Sequence, residues 1–355
     1  MGIDTIVGVD AYGGDPHNGV LPPERVAHAV QVAASLHQDT AFFVAGNPFT
    51  MQQLLPQRRN ITIIQGDDAK YGATKKLAQM AAAGDLAGFY TLSKTDTLVP
   101  CVHKYIKPFE ACAYAFPSLK LMPLLAATPK SRDTAKHDSA YMLDVGAVPE
   151  ISADNYVAYA HIGRMYARAV GKRLSVRIGL LNIGVESNKG TPEEQEAYKR
   201  LASQFPDTKD VPELADRFIG NVEPEPCIYD RDNGMHDSRP VDVIVTDGRQ
   251  GNQFIKLFSA AAKYAFEELK YEIKRGKPWE KIGGAMMRSA GHRVKARAAQ
   301  YGVATFPCSE KPVFKGHGKT AVDGILIGLE QLLASIAAKE TDAFRTAINN
   351  YARTC

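Results

Sequence analysis

An α/β fold on a parallel sheet is predicted by three features of this 355-residue sequence. Four short apolar runs end in small polar turns that carry glycine. They are Ile6–Asp10 into Ala-Tyr-Gly13-Gly14-Asp15, Ile178–Asn182 into Ile-Gly184-Val-Glu186-Ser-Asn-Lys189-Gly190, Phe218–Glu223, and Val241–Asp247 into Gly-Arg-Gln-Gly-Asn252. Helical stretches follow such runs, and strands alternating with helices pair in parallel, with ligands at the carboxyl ends of the strands. The composition, 45% hydrophobic and 23% charged, is that of a globular chain long enough for one large core or two coupled ones.

After the first strand, Pro22 and Pro23 open a helix over Glu24–Leu36. Thr40–Ala45 reads as a strand stopped by Gly46-Asn-Pro48, and Ile61–Ile64 as another stopped by Gly66-Asp-Asp68. A helix over Lys75–Ala83 and a strand over Gly88–Leu92 follow, then a strand at Tyr141–Gly146, a helix over Asn155–Val170 and the strand Arg177–Asn182. Thr191-Pro-Glu-Glu supplies an N-cap, a proline at the first helical position and acids in the first turn, so a helix begins there and runs to about Gln204. The polar segments Pro206–Pro212 and Pro224–Pro240 read as surface loops, because strand signals resume after both. Two long helices, Asn252–Arg275 and Trp279–Ala299, are joined by Arg275-Gly-Lys-Pro278.

No stretch approaches eighteen apolar residues, and Met-Gly-Ile-Asp runs straight into a strand, so a cytosolic protein is expected. Five scattered cysteines without CxxC spacing point to reduced thiols and against structural zinc; no metal and no cofactor is expected. A net charge of +4 is too mild to argue for nucleic acid. The basic residues do concentrate on the helical pair, where Lys270, Lys274, Arg275, Lys277, Lys281, Arg288 and Arg293 stand among Ile282, Met286, Met287 and the single Trp279. Such a pair fits an anionic bilayer, an acidic carrier protein or a second subunit.

The first turn is not GxGxxG and no acid ends the following strand, so a nicotinamide site is unsupported; GxxxxGK[ST] is absent, which excludes a P-loop. The run Asn182–Gly190 places an amide, a carboxylate and an ammonium on one loop before the Thr191 helix, a combination suited to an anion.

Together with Phe314-Lys315-Gly-His317-Gly318, these motifs resemble, in order and over nearly the whole chain, those of the PlsX family of acyl-ACP:phosphate acyltransferases. The resemblance implies a homodimeric, two-lobed α/β/α sandwich of the isocitrate/isopropylmalate dehydrogenase-like type, related also to phosphotransacetylases. It has a long helical pair and a site between the lobes. Residues 1–140 with 302–355 would form the first lobe, and 141–301, with the helical pair 252–299, the second. The implied reaction moves an acyl group from acyl carrier protein to inorganic phosphate.

In this reading Lys189, the Thr191 helix start and the Gly13-Gly14 turn bind phosphate, with Lys315 and His317 as further cationic or hydrogen-bonding groups. Asn182, Asn221 and Asn252 orient oxygens, Asp247 or Glu186 acts as base or positions a lysine, and Asp10, Gly184 and Glu223 complete the substrate site. The chain departs from the family pattern at Tyr12, at Thr91–Thr97, where glycines are lost and Lys94 enters, at Val148, and at Arg249-Gln250. Three functions stay open: transfer from long-chain acyl-ACP, transfer from a short acyl-CoA or other thioester, and a silent docking protein for membrane or carrier.

Overall fold

The computed structural model describes residues 2–66, 72–112, 116–123, 139–207, 215–224, 227 and 241–354. Eleven strands form one sheet: β1 (Thr5–Asp10), β2 (Thr40–Gly46), β3 (Ile61–Gln65), β4 (Gly88–Thr91), β5 (Leu119–Pro123), β6 (Ser139–Leu143), β7 (Arg177–Leu181), β8 (Arg217–Val222), β9 (Val243–Val245), β10 (Val303–Thr305) and β11 (Val313–Gly316). Their order is β3-β2-β1-β4-β11-β10-β5-β6-β9-β7-β8. The first five are mutually parallel, as are the last four. The expectation of a parallel sheet is corrected at the seam, where β10 pairs antiparallel with both β11 and β5, and β5 antiparallel with β6. Two parallel half-sheets running in opposite senses are thereby joined into one. Parallel pairs need a crossover helix, but residues 301–316 return through a short turn, which permits only the antiparallel pairing of β10 with β11.

The helices are α1 (Pro22–Leu36), α2 (Pro48–Leu54), α3 (Gly72–Ala83), α4 (Thr95–Cys101), α5 (Ala153–Ala169), α6 (Pro192–Gln204), α7 (Gly248–Arg275), α8 (Pro278–Met286), α9 (Arg288–Gln300), α10 (Val322–Ala337) and α11 (Glu340–Thr354). On one face α1 and α10 bury Val26, Val30, Leu329 and Leu332 against Val7, Val9, Phe42 and Tyr90. On the other face α3 covers the first half-sheet, where Gly8 leaves room for Leu77, and the start of α7 covers the second, Phe254, Ile255 and Phe258 packing near Met142, Ile244 and Ala304. Helix α5 lies opposite α7, so close that a Cβ at Gly163 would stand 2.5 Å from Val243 Cγ1. Each buried Val, Leu or Phe contributes about 1.5–3 kcal/mol, so these interleaved layers carry most of the stability.

Helix α2 was hidden behind Gly46-Asn-Pro48, read as a stop; Asn47 in fact caps it, accepting from Thr50 N at 3.1 Å. The second helix of the arm, expected continuous over 279–299, breaks at Met287, whose N–H bonds the carbonyls of Gly283 and Ala285 in a tightened last turn. Gly284 is needed there, because a Cβ would press within 2.5 Å of Ile273 Cγ2 on α7. Helices α4, α10 and α11 and strands β5, β10 and β11 had no expectation. The proline-bearing segments 206–212 and 224–240 lie largely outside the described residues, as does Cys355. No helix among the described residues is long and apolar enough to cross a membrane.

Candidate active site

Asp10, at the end of β1, is fully occupied. Its Oδ1 accepts from the N–H groups of Tyr12 and Gly13 at 2.9 Å each, and Oδ2 accepts from Thr74 (2.6 Å), Thr91 (2.8 Å) and Ser93 (2.9 Å) hydroxyls. The expectation that Asp10 binds substrate is corrected: a 1% exposed carboxylate with five donors shapes the turn instead. The turn it shapes needs glycine twice. A Cβ at Gly13 would stand 2.5 Å from Ser93 N, and Gly14, at φ +104°, would place one 2.6 Å from the Gly318 carbonyl. Asp15 N–H donates to that carbonyl at 3.0 Å, and the Arg25 guanidinium ties together the carbonyls of Asp15, Gly318 and Thr320. The Gly13-Gly14 turn and the Lys315–Gly318 turn, remote in sequence, are thus one unit. Ser93 stands in the altered Thr91–Thr97 segment and closes the Asp10 network, while Lys94 is exposed.

A row of cations lies beside this unit. Ala304 on β10 pairs with Lys315 on β11 and with Lys120 on β5, so both lysines project from the same face, between α3 and α7. Both are half-buried, and lost hydration, helped at Lys120 by the charge of Lys315 and at Lys315 by that of Lys256 on α7, pulls each ammonium down to about 8. Among the described residues neither meets a carboxylate; Lys315 Nζ only reaches the Gly316 carbonyl at 3.5 Å. His317 accepts from Lys319 N–H at Nδ1 (3.2 Å), which assigns the proton of the neutral ring to Nε2. Burial, then Lys315 and Lys120, lowers its pKa against the opposing pull of Asp15, so it is a neutral donor near pH 7. Lys120 and Lys256 were missed from sequence. The one local sign was a lysine inside the apolar strand Leu119–Pro123.

Asp247 caps α7, accepting from Gln250 N at 2.6 Å, and burial raises its pKa. Asn252, half-buried against Gly146, lies one turn before Lys256 on the same side of α7. The Val148 turn closes on Asp144, whose carboxylate accepts from Ser118, Gly146, Ala147 and Val148 N–H groups, and Gly248 N–H bonds the Val148 carbonyl at 2.9 Å. Loss of an amide side chain at position 148 therefore leaves the turn's backbone interactions in place.

The remaining predicted residues form a separate group at β7 and β8. A bulge in β8 at Gly220 (φ +92°) turns Asn221 toward Asn182, which donates to its Oδ1 at 3.3 Å and to the Lys189 carbonyl at 3.3 Å. Asn221 Nδ2 donates to the Glu186 carbonyl at 2.7 Å, so both amides brace their own loop. Gly184 lets the loop fold back over Glu186 and Lys189, which approach each other only to 4.0 Å and are largely exposed; Glu223 is exposed too. The α6 N-terminus is filled from within: Glu194 accepts from Thr191 N–H at 2.6 Å, Thr191 Oγ1 accepts from Glu194 N–H, and Pro192 has no N–H to offer. Strand β7 stands five places from β11 and seven from β1, roughly 24 and 34 Å at about 4.8 Å per strand. Within one chain, Lys189 and the Gly13-Gly14 turn cannot hold the same phosphate, which corrects that expectation. Thr191→Ala should cost about 1 kcal/mol in urea unfolding, as loss of an N-cap.

The model of the family described as fatty acid synthesis protein matches residues 124–340. The chain belongs to this family. It is 28% identical over 360 residues to the phosphate acyltransferase of Levilactobacillus brevis, covering 95% of this chain and 94% of that one. It is 28% identical over 347 residues to the phosphate acyltransferase of Latilactobacillus sakei, 93% of each. The fold is similar to that of a branched-chain phosphotransacylase from Enterococcus faecalis V583 (TM-score 0.55, 12% identity, 93% of this chain and 98% of that one). It is also similar to that of a Streptococcus pyogenes phosphotransacetylase (TM-score 0.54, 13% identity, 95% and 94%). The family member therefore has the mixed α/β fold of phosphotransacylases, and its phosphate acyltransferase relatives span its length.

Proposed function

We propose that this family member is a phosphate acyltransferase that holds inorganic phosphate at the seam of the sheet. The carrying observation is the row Lys315, His317 and Lys256, unpaired with carboxylates among the described residues, beside a glycine turn. Phosphate is already a nucleophile, so the protein has to hold it against the thioester carbonyl, stabilise the oxyanion and receive the leaving thiolate. A phosphate oxygen bonds to the carbonyl carbon, the oxyanion accepts from His317 Nε2–H, and collapse breaks the C–S bond. An ammonium with a pKa of about 8, such as Lys315, matches the thiol it protonates. Asn252, on the facing side of α7, orients an oxygen.

The finer reading gives acyl carrier protein as donor, received by the basic arm α7–α9. The two lobes, 1–140 with 302–355 and 141–301, would then meet at the phosphate. The arm exposes Leu257, Tyr264 and Tyr271 at seven-residue spacing along α7, an apolar stripe suited to a second copy of the chain, and Trp279, Ile282 and Met286 at its tip, suited to a membrane contact. Sedimentation should then give a dimer. Phosphate-dependent thiol release, with hydroxylamine trapping of the acyl phosphate, is expected from at least one member of a panel spanning palmitoyl-ACP and acetyl-CoA. No release from any thioester would refute the enzyme and leave the docking function.

A further inference from the structure

We infer that Lys120 is a phosphate-binding residue of this chain, forming with Lys315 a two-lysine clamp that grips one phosphate dianion across Ala304. The inference rests on the phosphate acyltransferase reading above. Three adjacent strands carry Lys315, Ala304 and Lys120 in register on one face, which puts the two backbones about 10 Å apart with only a methyl group between them. Two flexible four-carbon stems can converge over that methyl, and nothing bulky on β10 keeps them apart.

A chain has no gain in folding from two half-buried, like-charged ammonium groups; lone lysines usually extend their heads to water or find a carboxylate. Here neither pairs with an acid among the described residues, and repulsion from a neighbouring lysine, Lys315 for Lys120 and Lys256 for Lys315, adds to lost hydration. Among the described residues, Lys256 on α7 acts on Lys315, and His317 on the β11 turn feels Lys315, Lys120, Lys256 and, in the opposite sense, Asp15 on the first glycine turn. A dianion with several acceptor oxygens balances both lysines at once, whereas a carboxylate or chloride leaves one uncompensated.

The test compares wild type, Lys120→Met and Lys120→Arg in thiol release with phosphate varied. Lys120→Met should raise the phosphate KM by about 10- to 100-fold, with kcat changed only a few-fold and the thioester KM unchanged, and Lys120→Arg should recover most of the loss. A second readout needs no turnover: acetic anhydride labelling mapped by mass spectrometry, in phosphate against chloride at equal ionic strength. Phosphate should protect Lys120 and Lys315 and leave exposed Lys281 unprotected. A Lys120→Met phosphate KM unchanged in an active enzyme, or Lys120 labelling indifferent to phosphate, would overturn the clamp. If wild type releases no thiol with any donor, the enzyme reading fails and labelling alone decides. Protection would keep Lys120 as a phosphate ligand, and its absence would remove it.

Discussion

Lys315→Met is expected to lower kcat/KM for phosphate by about 30- to 1000-fold, equivalent to about 2–4 kcal/mol for removing one charge partner of a bound dianion. The same substitution should leave the urea midpoint unchanged or raise it. In the unfolded chain a lysine titrates near 10.4, while burial holds Lys315 at about 8 in the folded one. Between those two values the unfolded chain binds more protons, so stability rises with pH across the window. Below pH 8 the folded state bears the full burial cost of the charge, and methionine removes it. Lost affinity with retained stability is the signature of a group held ready for a ligand. In wild type, phosphate KM should rise as pH passes 8, because Lys120 and Lys315 then lose the protons that attract the dianion. A phosphate KM untouched by Lys315→Met would remove this lysine from the site.

Gly251→Ala should destabilise by about 3 kcal/mol or more, a large effect for one methyl group. A Cβ at this position would overlap the Asp144 carbonyl and come within 2.9 Å of Thr246 Cγ2, and a backbone oxygen cannot rotate away. The clash would push α7 off the Asp144–Val148 turn and carry Asn252 and Lys256 with it, so activity should fall together with stability. Gly291→Ala on α9 is the matched control, since its Cβ would meet nothing within 4 Å. There alanine should gain about 0.5–1 kcal/mol from helix propensity. Urea unfolding of both variants decides the matter; a fully stable Gly251→Ala would mean that α7 does not press on Asp144 as described.

Local chemistry was the legible part. The βα alternation, the Thr191 cap and the glycine turns at Gly13-Gly14 and Gly190 depend on neighbours within four residues; the cap and turns stand where expected, while helices α3 and α7 start three and four residues earlier than expected. Lys315 and His317 were also singled out, because their Lys-Gly-His-Gly run is one of the motifs that carry the family resemblance. The grouping of site residues was much less legible. Lys189 and Thr191 share every local mark of an anion site, yet Glu194 fills the helix end and the strand order sets it far from the first glycine turn. Asp10 looked like a substrate contact, because a sequence does not show that Thr74, Thr91 and Ser93 converge on its carboxylate.

The sequence by itself determined which segments pair, cap and turn, and through its ordered motifs the family, because hydrophobic period and turn chemistry act over short stretches of chain. Tertiary structure alone decided that the two half-sheets run in opposite senses, and that Lys120, Ala304 and Lys315 stand side by side though up to 195 positions separate them. Register between strands distant in sequence is set by packing both faces of the sheet at once, and no local pattern encodes it.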